Sequence, residues 1–378
     1  MANRTFHKRL SLIMNIVFSA YDEILNPFYR GGGALATHQI AKRLAKKYRV
    51  TIICGGYPDA KDRMQDNVAY KHIGINGFGP FFGQAFFSLL LPFYVKTLDF
   101  DVWVENFVPP HSTNMLQLFT AKPVIGLTSL LNAEEFSRKY RLPFYLLQNV
   151  GIKKYKYFIA LSRALKNKIR ALNKTAKVQI IPRGINKKYL TYKTGEKNYV
   201  LFLGRLDVYQ KGLDLLLTTW KHLINQNLQL IIAGGGAPKE IMKIKKIIKQ
   251  EELSNSVKLI GVVTGKNKER LIAECKFAVC PSRFEGFGNS MLEFMAFGKS
   301  VICSDIVGFK WLPRNVCLRF SNESVSDLTN KLLKLNSQKT LRRQLGFNAK
   351  KFVSSFTWEN ITDQFEEFIN NVMKENSL

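Results

Sequence analysis

Short apolar runs alternate with amphipathic stretches along the whole chain. In the first half, runs at 13–19, 50–54, 102–105, 124–127, 157–161 and 178–182 read as strands. Helical patterns separate them. Residues 34–47 place Ala36, Ile40 and Leu44 on one side and Lys42, Arg43, Lys46 and Lys47 elsewhere, and 162–171 begins a basic helix. The polar, aperiodic stretch 189–198 reads as a linker. A second series follows, with strands at 199–203, 229–233, 257–260, 277–280 and 300–303. Its helices fall at 211–223, 238–250, 289–297, 324–335 and 341–354, and a last helix, 358–373, follows a break at Phe356-Thr357. Strand and helix in turn predict an α/β chain with parallel, doubly wound sheets.

Residues 73–95 depart from this alternation, because they carry no charged side chain and are rich in Phe and Leu. The stretch is long enough to span a bilayer. Gly77, Gly79, Pro80, Gly83, Gln84 and Pro92 interrupt it, so a loop followed by a buried or interface-lying helix over 81–97 is expected instead.

Composition changes the picture in three ways. A length of 378 residues fits two domains, and a hydrophobic content of 46% excludes a disordered chain. The formal charge of +29 is uneven: residues 1–197 hold 31 Lys or Arg against 11 Asp or Glu, and the remainder 26 against 17. That excess suits a membrane surface, nucleic acid or a charged substrate, or is a solvated lysine surface. The five cysteines (Cys54, Cys275, Cys280, Cys303 and Cys317) show no metal-ligand spacing, and four of them lie in apolar runs, as buried thiols in a reducing cytosol would. The apolar segment 10–18 lacks a small-residue cleavage site, so no secretory leader is expected.

The chemistry concentrates at strand ends. The run Pro281-Ser282-Arg283-Phe284-Glu285-Gly286-Phe287-Gly288-Asn289-Ser290-Met291-Leu292-Glu293 joins a strand to a helix through glycines. Such a junction points backbone N–H groups and the positive helix end at one spot, which suits a phosphate. Glu285 and Glu293 could then hold hydroxyl groups, or be a loop cap and a helix-surface residue. Leu203-Gly204-Arg205-Leu206 ends another strand, and Lys211-Gly212 opens the next helix. A guanidinium fork and a mobile ammonium at one strand end can clamp a diphosphate. Gly234-Gly235-Gly236 and Gly31-Gly32-Gly33 are further strand-to-helix glycine loops, each also readable as a bare turn. Gly31–33 lacks the spaced dinucleotide fingerprint. Three loops of the second half carry glycine and charge in order, which weighs against chance.

Together these residues resemble the retaining GT-B glycosyltransferases of family 4. The matching pieces are Phe202-Leu203-Gly204-Arg205-Leu206 with Lys211-Gly212-Leu213-Asp214, then 231–236, 257–261 and 281–298. Glu285 and Glu293 stand at the family's E-x7-E spacing. In the first half, Gly31–33 with its helix and Ile180-Ile181-Pro182-Arg183-Gly184 are similar too, and Phe356-Thr357-Trp358 opens a helix like the family's last one. The resemblance covers residues 13–374. It implies two Rossmann-like domains facing a central cleft: 1–190 on the acceptor side, 191–355 on the donor side, and 356–378 as a helix crossing back. It implies a metal-independent, hexosyltransferase-type enzyme with no cofactor. The donor would be a UDP-, GDP- or ADP-sugar and the acceptor a saccharide or a lipid-linked saccharide, as in cell-envelope polysaccharide assembly.

By the same resemblance, Arg205 and Lys211 would neutralise the leaving diphosphate, and Glu285 would bind the donor sugar. Glu293 would hold the ribose, and Gly204, Gly235, Phe287, Gly288, Asn289 and Ser290 would line the donor. Gly33 would approach the diphosphate from the first domain. Two positions depart from the family. Ser129 stands where many members have His, with His111 nearby as another acceptor-side candidate, and Arg183 replaces the usual Asn of a turn. A cytoplasmic protein is implied, with the basic first half and the 73–95 stretch docking on the anionic inner face of the membrane. A nucleic-acid-binding protein and an inactive glycosyltransferase-like scaffold are the alternatives. No zinc spacing, RNP-type strand or KH loop supports the first of these, and retention of both glutamates and both cations argues against the second.

Overall fold

The computed structural model describes residues 13–28, 31–75, 79–107, 110 and 112–376. The chain forms two compact units. The first comprises Met1–Ala160, Leu165–Ile181 and Thr362–Leu378, and the second Leu161–Ala164 and Pro182–Ile361.

The elements of the first unit are β1 (Asn15–Ser19), α1 (Gly32–Leu44), β2 (Arg49–Gly55), β3 (Arg63–Gln65), β4 (Val68–Ile73), α2 (Gly79–Thr97), β5 (Val102–Phe107), β6 (Val124–Thr128), α3 (Ala133–Tyr140), α4 (Phe144–Ile152), β7 (Tyr157–Ala160), α5 (Arg163–Leu172) and β8 (Lys177–Ile180). They build one sheet in the order β3-β4-β2-β1-β5-β6-β7-β8. All neighbours are parallel except the edge pair β3–β4. The order reverses between β1 and β5, where Val17 sits opposite Trp103 and Ser19 opposite Glu105. Trp103 is fully buried and donates its indole N–H to Ser19 Oγ at 2.9 Å.

The second unit contains β9 (Tyr199–Leu203), α6 (Leu213–Trp220), β10 (Gln229–Ala233), α7 (Pro238–Gln250), β11 (Val257–Gly261), α8 (Gly265–Glu274), β12 (Phe277–Cys280), α9 (Asn289–Ala296), β13 (Val301–Ser304), β14 (Leu318–Phe320), α10 (Val325–Ser337) and α11 (Lys339–Val353). Its all-parallel sheet has the order β11-β10-β9-β12-β13-β14, the doubly wound arrangement with its switch point between β9 and β12. Val200, Leu201, Ala278 and Val279 of these central strands are fully buried, as strands covered on both faces require. The helices follow their sequence signals. Lys-rich α7 starts with Pro238 and buries only Ile244 and Ile248, one turn apart. Ser324 caps α10 by accepting the Asp327 N–H at 3.2 Å. The last helix, α12 (Trp358–Asn376), changes units between Ile361 and Thr362. Within the first unit its carboxylates hold basic residues: Glu366 pairs with Lys47 at 2.8 Å, and Glu375 with Lys156 at 2.8 Å and Lys177 at 2.6 Å.

Several expectations are corrected. Gly32 and Gly33 belong to the first turn of α1 rather than to a loop, and only Gly31 stands outside it as the N-cap. The expected linker holds a 3-10 turn, Lys187–Thr191, and Tyr189 and Tyr192 lie against Phe297 with ring centroids 4.9 and 5.0 Å apart. Helix α2 is longer than expected, and no helix among the described residues is long and apolar enough to cross a membrane. All five cysteines are free and buried, as their apolar surroundings predict.

Candidate functional site

The switch point of the second unit carries most of the predicted chemistry. Strand β9 ends into Gly204 and Arg205, and β12 ends into Pro281 and the loop holding Glu285. The two loops are tied together. Gly212 adopts φ +62°, and a Cβ there would stand 2.1 Å from the Pro281 carbonyl oxygen, so the Lys211 loop presses directly on the Pro281 backbone. Arg283 accounts for the rest of the seam. It forks onto Asp214 at 2.8 and 2.9 Å, reaches Glu323 at 2.6 Å and the Tyr209 carbonyl at 2.8 Å, and stacks on the Tyr209 ring at 4.6 Å. Those carboxylates, Asp214 first, raise its already high pKa further.

Lys211 and Glu285, 74 positions apart, form an ion pair in this seam, with side chains only 16% and 12% exposed. Ser282 Oγ donates to the same Glu285 oxygen at 3.0 Å. The exposed Arg205 bonds Gln210, whose amide reaches the Phe284 carbonyl at 3.5 Å. The Arg205–Gln210 bond and the Lys211–Glu285 pair therefore end on adjacent residues of the same loop, Phe284 and Glu285. Helix α9 begins at Asn289 with no side-chain cap on Gly288, so its first amides have no side-chain acceptor there. Glu293, one turn further on, pairs with Lys268 at 2.7 Å, both side chains about one-fifth exposed. The third glycine loop is seated here too: Gly204 N–H donates to Ala233 O at 3.1 Å, and Leu206 N–H to Gly235 O at 2.7 Å.

Phe287, two residues before α9, has its side chain in the interior. Its ring is buried and stacked on Trp311, centroids 4.2 Å apart and planes 8° apart, and its carbonyl accepts the Trp311 indole N–H at 3.1 Å. Sequence reasoning missed Lys268, Gln210, Ser282 and Arg283. Arg283 lies inside the recognised loop, but its partners come from elements distant in sequence.

The first unit has its own concentration of polar groups just beyond β1. Glu23 is buried and receives both arms of Arg63, at 2.7 and 3.3 Å, together with the Tyr57 hydroxyl. Burial alone would raise its pKa, but His72, Arg63 and Tyr57 outweigh it and hold the carboxyl at about 2. The adjacent Asp22 is pushed up to about 7 by burial, and one of its oxygens has no hydrogen-bond partner. On β5, the fully buried Glu105 is likewise pushed up to about 7 by burial; it accepts from Tyr155, Asn114 and Thr113. Ser129 follows β6 and is half-buried, and Gly33 is exposed on α1 with open space around it. His111 lies outside the described residues. Arg183 does not face solvent: it is 6% exposed, and burial lowers its pKa to about 10. Among the described residues no group of three or more His, Cys, Asp or Glu is arranged to hold a metal ion.

Comparison with known proteins agrees with this layout. A model of the glycosyl transferases group 1 matches residues 186–352, and one of glycosyltransferase family 4 matches residues 30–189. An uncharacterized glycosyltransferase of Methanocaldococcus jannaschii is 34% identical over 204 residues, 53% of this chain and 55% of that protein. The chain thus spans about half the length of the curated relatives it matches. Among solved structures, sucrose-phosphate synthase from Thermosynechococcus elongatus superposes with a TM-score of 0.83 at 18% identity, over 96% of this chain and 100% of that one. The Anabaena protein HepE in complex with UDP and glucose gives 0.75 at 17%, over 94% and 99%. These two superpositions show a shared GT-B fold.

Proposed function

Because the chain belongs to the group 1 glycosyltransferases of family 4, we propose that it transfers a sugar from a nucleotide-diphosphate sugar to a saccharide or lipid-linked acceptor, with retention of anomeric configuration and without a metal. The observation that carries this reading is the convergence of the Arg205–Gln210 bond and the Lys211–Glu285 ion pair on adjacent residues of one loop at the switch point of the second sheet. As the bond from the anomeric carbon to the diphosphate oxygen breaks, negative charge grows on the diphosphate. Arg205, Lys211 and the α9 N-terminus are cationic or positively polarised groups suited to that oxygen. The acceptor hydroxyl forms the new bond on the same face, and its proton passes to a donor phosphate oxygen. Glu285, released from Lys211, accepts hydroxyls of the donor sugar, and Glu293 those of the ribose. The complex of HepE with UDP supports a uridine donor as the first to try.

A thermal-shift screen of UDP-, GDP- and ADP-sugars tests the donor reading. At a hundredfold excess over Kd the matched nucleotide stabilises the protein by about 2.7 kcal/mol, a rise of about 5–10 °C in Tm for a unit of this size. Glu293→Ala should shrink that rise for the intact nucleotide sugar. No shift with any nucleotide would overturn the donor assignment.

The acceptor side bears on membrane attachment. Helix α2 buries Phe87, Leu91 and Val95 but exposes Phe82 (53%), Leu89 (74%) and Phe93 (63%). On α4 and the turn before it, Leu142, Leu146, Leu147 and Val150 are about half exposed, and Arg138 and Arg141 line an adjoining depression. Exposed apolar side chains beside cations fit the interface of an anionic bilayer. Flotation with phosphatidylglycerol vesicles at low salt should carry the protein upward, and Phe82→Ser/Leu89→Ser/Phe93→Ser should abolish that. A wild type that stays down would remove the membrane from the proposal.

A further inference from the structure

The sheet of the second unit has a second edge, opposite its switch-point loops, where β9, β12 and β13 begin. A cavity of about 390 Å³ opens there, lined among others by Lys276, Lys299, Lys339, Arg342 and Arg343. Among the described residues, Glu196 is the only carboxylate on its wall.

That charge is poorly compensated from within. Arg342, 5% exposed, pairs with Glu196 at 2.9 Å and donates to the Leu335 and Asn336 carbonyls at 2.6 and 3.0 Å. Lys299, also 5% exposed, reaches only neutral oxygens, the carbonyls of Gly195 and Cys275 at 2.5 and 2.7 Å. Lys276 likewise ends on the amide oxygens of Asn198 and Asn336. Burial pulls the pKa of both lysines down, and for Lys276 the Arg342 charge adds to it. Lys339 and Arg343 are exposed; Lys339 helps, after Arg342, to hold the Glu196 carboxyl below its usual range, but among the described residues no carboxylate lies within ion-pair distance of either side chain.

Two further features are those of an anion site. Helix α11 opens at Lys339 with no acidic residue in its first turn and no side-chain cap from Gln338. Placing Lys339, Arg342 and Arg343 at the positive end of a helix dipole opposes the usual preference, unless an anion lies between them. Ser300, 2% exposed and on the cavity wall, has a buried hydroxyl with no hydrogen-bond partner. A buried hydroxyl left unpaired is costly, and a phosphate oxygen would accept from it.

We propose that this cavity is a second ligand site of the protein, for a small phosphate-bearing anion held by Lys339, Arg343, Lys276, Ser300 and the first amides of α11. The cavity is within the range of small-ligand sites, so free phosphate, pyrophosphate and a sugar phosphate share the chemistry it recognises. The position has a structural consequence. Strand β12, which starts beside Lys276, leads into the loop of Glu285, and α9, which carries Glu293, ends just before Gly298 on the cavity wall. A bound anion braces both elements from below.

Calorimetric titration of inorganic phosphate, pyrophosphate and glucose 1-phosphate into the whole protein, against sodium chloride of equal ionic strength, decides the matter. Saturable binding is expected in the wild type. The Lys339→Ala/Arg343→Ala variant should bind at least about tenfold more weakly, ~1.4 kcal/mol, while its Tm without phosphate stays at or above the wild-type value. Lys276→Met should weaken binding as well. Binding should persist in Arg205→Ala/Lys211→Ala, which separates this cavity from the switch-point loops and from the donor reading. Absence of saturable binding in the wild type overturns the proposal. So does an affinity unchanged by Lys339→Ala/Arg343→Ala, or one lost only in Arg205→Ala/Lys211→Ala.

Discussion

Replacing Lys211 with alanine is expected to lower kcat by about 10²–10³-fold, the usual cost of removing one preorganised group from a developing oxyanion. Lys211 is the half-buried cation of the seam, and Arg205 is its exposed counterpart. The exposed guanidinium is screened by water, whereas the ammonium acts where water is scarce, so Lys211 should outweigh Arg205. Lys211 is also held by Glu285 while no donor is bound. Its removal leaves Glu285 with the Ser282 hydroxyl alone, which should weaken donor-sugar binding and lower Tm slightly. Steady-state kinetics with the matched donor separate the two effects, because loss of transition-state charge stabilisation appears in kcat and loss of ground-state positioning in KM. Glu285→Gln provides the second arm of a double-mutant cycle, and the pair should be strongly non-additive. Wild-type kcat in Lys211→Ala would sink the leaving-group assignment.

Gly234→Ala should cost the protein more than any other conservative change near the seam. Its φ is +148°, and a Cβ there would lie 1.7 Å from the Gly204 carbonyl oxygen. That neighbour is backbone, so relief means moving the end of β9. The same contact region holds the Gly204–Ala233, Leu206–Gly235 and Gly234–Gly261 hydrogen bonds, which seat Arg205. A loss of about 3–5 kcal/mol fits a forced backbone shift at such a position, or a fall of about 10 °C in Tm. Differential scanning calorimetry and nucleotide binding should fail together. An unshifted Tm would show that the loops can separate at little cost.

The alternation of apolar runs and amphipathic stretches made the central strands legible, since β9, β12 and β13 are continuous apolar segments buried on both faces. The edge elements were harder to read. Strand β3 is Arg63-Met64-Gln65, which has no apolar face, and it exists because β4 offers it an antiparallel partner. Helix α8 and the short helices α3 and α4 were also missed; α4 exposes much of its apolar surface, so its pattern does not mark a buried face. At the candidate site, Glu285, Glu293, Arg205 and Lys211 were visible because they sit at strand ends beside glycines. Their partnerships were not. Lys211 meets Glu285 across 74 residues and Lys268 meets Glu293 across 25, and only the strand order brings those segments together.

The stack of Trp311 on Phe287 gives the protein an optical probe of its own. Of the four tryptophans, Trp103 and Trp220 are fully buried and Trp358 is 8% exposed, whereas Trp311 is half-buried. Its indole N–H is fixed to the carbonyl of the residue preceding Gly288, the cap of α9. Ordering of that loop around a ligand changes the polarity felt by one indole while the three others stay in place. Emission from the unlabelled chain can therefore follow occupancy of the α9 end in real time, without a coupled assay and before any acceptor is identified.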